Sequence, residues 1–191
     1  FDESIDVSLN LNLRQKKEEV NLRTVVNLPN GNGKKVKIAV LCEDNKVKEA
    51  KEAGAILAGA ETLMSDITAG KINFDKLIAT PSMMSKMGKL GKILGPKGLM
   101  PNPKLGTVTS EIKKAVKELK EGKIEIRNDE GGNVAASIGK KSFPDNKIIE
   151  NFKALIQTVQ KEKPNGIKGD FILSSFLTST MGISYKLKLK A

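Results

Sequence analysis

Histidine is absent from this 191-residue chain. The gap removes the commonest general base, the usual partner of a catalytic nucleophile and the commonest zinc ligand together, so the case for an enzyme is weak. Cysteine occurs once, at Cys42, which excludes an internal disulfide and a cysteine metal cluster. Lying at the end of the apolar run VKIAVLC (36–42), that thiol reads as a buried strand residue rather than a nucleophile. Tryptophan is missing, tyrosine occurs once and phenylalanine six times; most of these rings are expected in the core, which leaves little for stacking on unpaired bases. No apolar run reaches the roughly 18 residues a membrane span needs, and the first residues lack the hydrophobic centre of a secretory signal. A soluble, cytoplasmic protein is expected. The chain opens at Phe1 without a methionine, and a further segment ahead of it is expected.

What is present is positive charge. Thirty-three Lys and Arg against 22 Asp and Glu leave +11 and a pI near 9.6, which favours polyanionic partners. Hydrophobic residues at 39% suffice for a core, and the length suits one large or two small domains.

The hydrophobic pattern changes twice along the chain. Ile5, Val7, Leu9, Leu11 and Leu13 alternate with Asp6, Ser8, Asn10 and Asn12 as a half-buried strand from Ser4 to Arg14. Period-two runs return in KIEIRN, in FILSSFLTST and at Tyr185, Leu187 and Leu189, while Ile148, Ile149, Phe152, Leu155, Ile156 and Val159 mark one long helix between Ser142 and Lys163, with Pro144 in its first turn. The middle reads differently. VKIAVLC, AILAG and KLIATP are short apolar strands separated by the helical segments KVKEAKEA, ETLMSDITA and SEIKKAVKELKE, the last with Ser110 as its cap, a grammar that implies a parallel sheet between helices. The changes fall at LPNGNGKK (28–35) and KEGK (120–123). They predict a discontinuous α+β domain of residues 1–30 and 123–191 with an inserted three-layer, Rossmann-like α/β domain of residues 31–122, the glycines Gly31, Gly33 and Gly122 forming a hinge.

One stretch carries most of the specificity. GKLGKILGPKGLMPNPK (88–104) has Gly88, Gly91, Gly95 and Gly98 with Pro96, Pro101 and Pro103, and it reads as a non-repetitive loop. Lys86, Lys89, Lys92, Lys97 and Lys104 stand in a span, Ser82 to Thr109, without Asp or Glu. A polyanion fits such a loop, although a solvated loop kept for solubility has the same composition. The glycine spacing G-x-x-G-x-x-x-G-x-x-G matches neither the dinucleotide fingerprint nor the P-loop, which weighs against a nucleotide-dependent enzyme. A non-specific basic RNA chaperone is the other rival.

GKLGKILGPKGLMPNPKLGTV resembles the signature of the L-one family of large-subunit ribosomal proteins. FDESIDV, KEAGA, ATP (79–81), KIEIRND, IGKKSF and TSTMG resemble the family in the same order, so the likeness covers essentially the whole chain. The resemblance implies a structural constituent of the large subunit, not an enzyme and without a cofactor, a membrane partner or a small-molecule substrate. It implies binding of large-subunit ribosomal RNA by the discontinuous domain, a mobile stalk at the exit site that assists release of deacylated tRNA, and repression of translation by binding the protein's own messenger RNA. Carried over by position, the RNA surface comprises Phe1, Glu3, Ser4, Ser174, Thr178, Thr180, Met181 and Gly182. Hydroxyls there pair with ribose 2′-OH groups, and Gly182 allows close backbone approach. Lys89, Lys92, Lys97 and Lys104 are then left for a secondary contact with RNA or exit-site tRNA. The family implies a basic segment ahead of Phe1, and Glu130 stands where a basic or neutral residue is expected, so contact there is weaker or water-mediated. The expected location is a cytoplasmic ribosome, with an organellar ribosome as the alternative.

Overall fold

The alternation that opens the chain becomes the strand around which one sheet is organised. In the computed structural model, which describes residues 1–12, 22–164, 167 and 169–188 with the side chains of Asp44 and Lys89 outside that set, β1 (Ser4–Leu11) buries Val7, Leu9 and Leu11. Leu13, Arg14 and Leu189, expected in strands, lie outside the described residues. The chain forms two compact units, residues 1–34 with 121–191 and residues 35–120. Gly31, Gly33 and Gly122 therefore belong to the first unit, just short of each division.

In the first unit β1 is flanked by β7 (Asn133–Lys140) and β8 (Ile172–Ser179), with β9 (Tyr185–Leu187) outside β8, giving an antiparallel sheet of order β7-β1-β8-β9. A separate antiparallel pair joins β2 (Arg23–Asn27) to β6 (Lys123–Arg127). Helix α6 (Asp145–Lys161) contributes Leu155 and Val159 to a core shared with Val7, Leu9, Val26, Ile126, Val134 and Ile138. Pro144 is the residue before the first helical turn, not inside it, and extended backbone suits its fixed φ. Ile149, expected on the buried face, is 48% exposed.

Both flanks of β1 carry a bulge. Its partners on β7 step from Gly139 to Ser137 as β1 steps from Ile5 to Asp6, leaving Ile138 as the extra residue. On β8 they step from Ser174 to Ile172, leaving Leu173 extra and half exposed. The Ile138 carbonyl is taken by Asn151, a fully buried amide on α6. Asn151 Nδ2 donates to Ile138 O at 2.7 Å and to Gly31 O at 2.8 Å, and its Oδ1 accepts from Asn30 N at 3.1 Å. Two carbonyls and one N–H fix which end of the amide points where. One side chain thus ties the helix, the bulge and the crossing segment together. Gly31 in turn lies against Gly122, whose φ of +116° and closeness to the Gly31 Cα leave no place for a Cβ.

In the second unit the strands β3 (Ile38–Leu41), β4 (Leu57–Gly59) and β5 (Lys76–Ala79) are parallel in the order β4-β3-β5. Every β3 side chain is buried, as a strand covered on both faces requires. Ile38 and Val40 face α1 (Val47–Glu52) and α5 (Ile112–Glu121); Ala39 and Leu41 face α2 (Glu61–Thr68) and α3 (Pro81–Met87). At the start of α5 the hydroxyl that accepts is Thr109's, from Glu111 N at 3.1 Å, where Ser110 was expected.

The glycine-rich stretch corrects the sequence reading. Its first part is helical: α3 runs into a 3₁₀ turn at Gly88–Leu90 and then α4 (Gly91–Leu94), so only residues 95–102 form the expected irregular path, which ends in a second 3₁₀ turn at Pro103–Leu105. Met83, Met87, Leu90 and Leu94 recur at helical spacing and are buried. Their burial offsets the roughly 1 kcal/mol that each interior glycine costs a helix.

Candidate nucleic-acid interface

The start of β1, the end of β8 and the end of β7 meet at one end of the four-stranded sheet. Ser4 N donates to Thr180 Oγ1 at 3.1 Å and Thr180 N donates to Ser4 O at 3.2 Å, extending the ladder one pair past β8. The pairing sets the residues ahead of Ser4 beside those after Thr180. Phe1, 90% exposed, and Met181, 78% exposed, are therefore two large apolar side chains in water at the same sheet end.

This end is firmly built. Asp2 accepts from Ser142 N at 3.0 Å and from Ser142 Oγ at 2.8 Å, Lys141 N donates to Glu3 O at 2.8 Å, and Lys140 Nζ donates to Asp2 O at 3.1 Å. Gly182 N donates to Ser179 O at 3.2 Å, and a Cβ at Gly182 would collide with the Ser179 hydroxyl. Thr178 Oγ1 donates to Ser179 O at 3.1 Å.

Of the residues carried over by resemblance, Phe1, Glu3, Ser4, Thr178, Thr180, Met181 and Gly182 come together here. Ser174 does not. It lies four residues down β8 from Thr178, on the same face and opposite Asn10. Thr180 also has a structural partner that sequence reasoning did not foresee, because its hydroxyl holds Ser4. Sequence reasoning further missed Asp2, Lys140 and Lys141, of which the adjacent lysines were visible in the sequence but their strand was not.

At the other end of the sheet, the turn between β6 and β7 carries Asp129 and Glu130. The backbone N–H of Asn133, then its side chain, hold the Asp129 carboxyl below its ordinary range. Asn133 in turn accepts from Asn10 Nδ2 at 2.7 Å. Glu130 stands exposed at the tip of this turn.

The expected secondary contact falls in the second unit. Lys92, Lys97 and Lys104 are exposed, and the Lys89 side chain lies outside the described residues. At the carboxyl ends of β3 and β4 lies a cavity of about 420 Å³ lined by Glu43, Glu61, Thr62 and Lys86 among others. Two carboxylates against one ammonium make it a poor cradle for phosphate. Gly31, Gly33 and Gly122, the expected hinge, all adopt positive φ.

The model of the Ribosomal protein L1p/L10e family matches residues 1–183. The chain is similar to the Large ribosomal subunit protein uL1 of Pelagibacter ubique, at 60% identity over 190 residues, covering 99% of this chain and 83% of that protein. It is similar to the protein of the same name from Prochlorococcus marinus (strain NATL1A), at 50% identity over 189 residues with 99% and 80% covered. The Rickettsia bellii (strain OSU 85-389) protein of that name is 48% identical over 189 residues, with 99% and 79% covered.

Proposed function

For this chain, which belongs to the Ribosomal protein L1p/L10e family, we propose the role of a structural, RNA-binding constituent of the large ribosomal subunit. Membership makes it a structural protein rather than an enzyme. The observation that carries the reading is the Ser4–Thr180 pairing, which gathers Phe1, Glu3, Thr178, Met181 and Gly182 at one sheet end within a chain matched along residues 1–183. A folded segment of large-subunit RNA fits there: hydroxyls and backbone groups meet ribose 2′-OH groups, Met181 and Phe1 supply apolar contact, and Lys140 and Lys141 supply charge.

On the same reading the second unit is a Rossmann-like α/β domain carried on the first, and together they form the movable stalk at the exit site that helps deacylated tRNA leave. Asn151 and Gly122 hold Gly31, and Gly33 lies against the side chains of Lys140 and Phe143, so motion of the second unit is assigned to the crossings beyond these contacts. Lys89, Lys92, Lys97 and Lys104 make the secondary contact to tRNA or neighbouring RNA. The same first-unit surface binds the protein's own messenger and represses its translation. The site of action is the cytoplasmic ribosome.

Titrating the full chain with deproteinised bacterial large-subunit ribosomal RNA tests the assignment of surfaces. Thr180→Val is expected to weaken binding by about 1–3 kcal/mol, through one lost hydrogen bond to RNA and a loosened Ser4, while Thr180→Ser retains it. Combined Glu substitution of Lys92, Lys97 and Lys104 is expected to leave this affinity within about threefold, since rim charges contribute mainly attraction and salt dependence. A reversed order of effects would place the principal RNA surface on the second unit.

A further inference from the structure

The face of the four-stranded sheet turned away from the core holds an aromatic ring, Phe176, that stands outside the core cluster. Cross-strand register sets Ser8 of β1 opposite Phe176 of β8 and Ala135 of β7, and Phe176 opposite Lys186 of β9. These four residues form one row across the sheet. Val7, Leu9, Val134 and Leu177 fill the core on the other face, and Phe176 is absent from that core cluster although it is half-buried. On the β1 side Ser8 is too small to cover the ring, and on the β9 side Lys186 stands opposite it, so Phe176 remains part-exposed near the centre of the sheet.

The rows on either side are polar. Asn10, Asn133 and Ser174 lie toward the hairpin end; Asp6, Ser137 and Thr178 lie toward the Ser4–Thr180 end. Phe176 is thus two residues from Thr178 and two from Ser174, in line between positions already assigned to RNA. A four-stranded antiparallel sheet with its helix behind and an aromatic ring on an inner strand is a platform geometry for a nucleotide base, because every base has a π-face and ring contact needs no sequence match.

We propose that Phe176 receives one unpaired base of the bound RNA, with the Lys186 ammonium beside it for the adjoining phosphate and the Ser8 and Ser174 hydroxyls for the sugar. The inference rests on the RNA-binding reading above and extends its footprint down the open sheet face. It also revises the expectation that aromatic contact has little part here: one ring, placed centrally, is enough for one base.

The test uses the full chain and deproteinised bacterial large-subunit ribosomal RNA, with thermal unfolding as a check on the fold. Phe176→Ala is expected to weaken binding about 5- to 150-fold, the range for loss of one base–aromatic stack. Phe176→Tyr keeps the ring and is expected to bind within about threefold of the parent. Phe176→Leu keeps apolar volume without the ring, so it folds and still loses at least about fivefold. Parent-like affinity for Phe176→Leu and Phe176→Ala, with Thr180→Val still impaired, overturns this inference and leaves the RNA surface at the sheet end intact. If Thr180→Val is unimpaired as well, the RNA-binding site itself has been misplaced.

Discussion

Gly122→Ala is expected to destabilise the protein by about 3–5 kcal/mol, measured as the shift in the urea unfolding of the first unit. Two costs combine. The backbone at Gly122 has φ +116°, where an L side chain is strained by about 1–3 kcal/mol. The added Cβ would also meet the Cα of Gly31, and backbone cannot rotate aside as a side-chain tip can. Gly70→Ala separates the two terms. That glycine has φ +78° and open space around its missing Cβ, so its substitution carries only the conformational cost, about 1–2 kcal/mol. Equal effects at the two positions would mean that the chain crossings do not touch.

The second large effect is expected at Asn151. Replacing it by Leu removes two donors and one acceptor and leaves the carbonyls of Gly31 and Ile138 and the N–H of Asn30 without this partner. Each buried polar group left unpaired costs about 1–3 kcal/mol, and because the three share one site the total is expected near 3–5 kcal/mol rather than their sum. That is a large part of the roughly 5–15 kcal/mol that holds a domain folded. The variant is also expected to lose amide-exchange protection first in β7 and in the crossing segment, since those are the two segments the amide joins. Uniform loss of protection across the first unit, with no local excess there, would contradict this role.

Asn151 also shows what sequence could and could not convey. The residue sits between Ile148 and Leu155 at helical spacing, a polar group on an apolar stripe, yet its reason is a bulge in β7 and a turn at Gly31, both distant in sequence. Elements with strong local periodicity were legible: β1 from its alternation, α5 from Ile112, Ala115, Val116 and Leu119, the parallel strands from their apolar runs. β2 was not, because RTVVN has only two apolar residues in line and is defined by pairing with β6. β7 was hidden by its own small residues, Ala135, Ala136 and Ser137. The helices α3 and α4 were obscured by Gly88 and Gly91, which read as breakers although Met83, Met87, Leu90 and Leu94 already had helical spacing. Tertiary burial overrode local propensity there.

The candidate interface was legible in a different way. No local pattern in TSTMG distinguishes it from a strand end and a turn; likeness to a family supplied it, and the ladder between Ser4 and Thr180 brings its halves together. Composition pointed instead to the lysines of residues 86–104, because charge is visible in sequence and hydroxyls converging from three strands are not. Phe176 escaped both readings. Its side of β8 can be assigned only once the register with Ser8 and Lys186 is known.

The most direct measurement is a mass-spectrometric map of ultraviolet crosslinks between the full chain and deproteinised bacterial large-subunit ribosomal RNA. Crosslinks are expected on residues 1–4 and 178–182, with further ones along the open face of β8. A map confined to residues 86–104, with both ends of the Ser4–Thr180 pairing unmarked, would contradict the account at its centre.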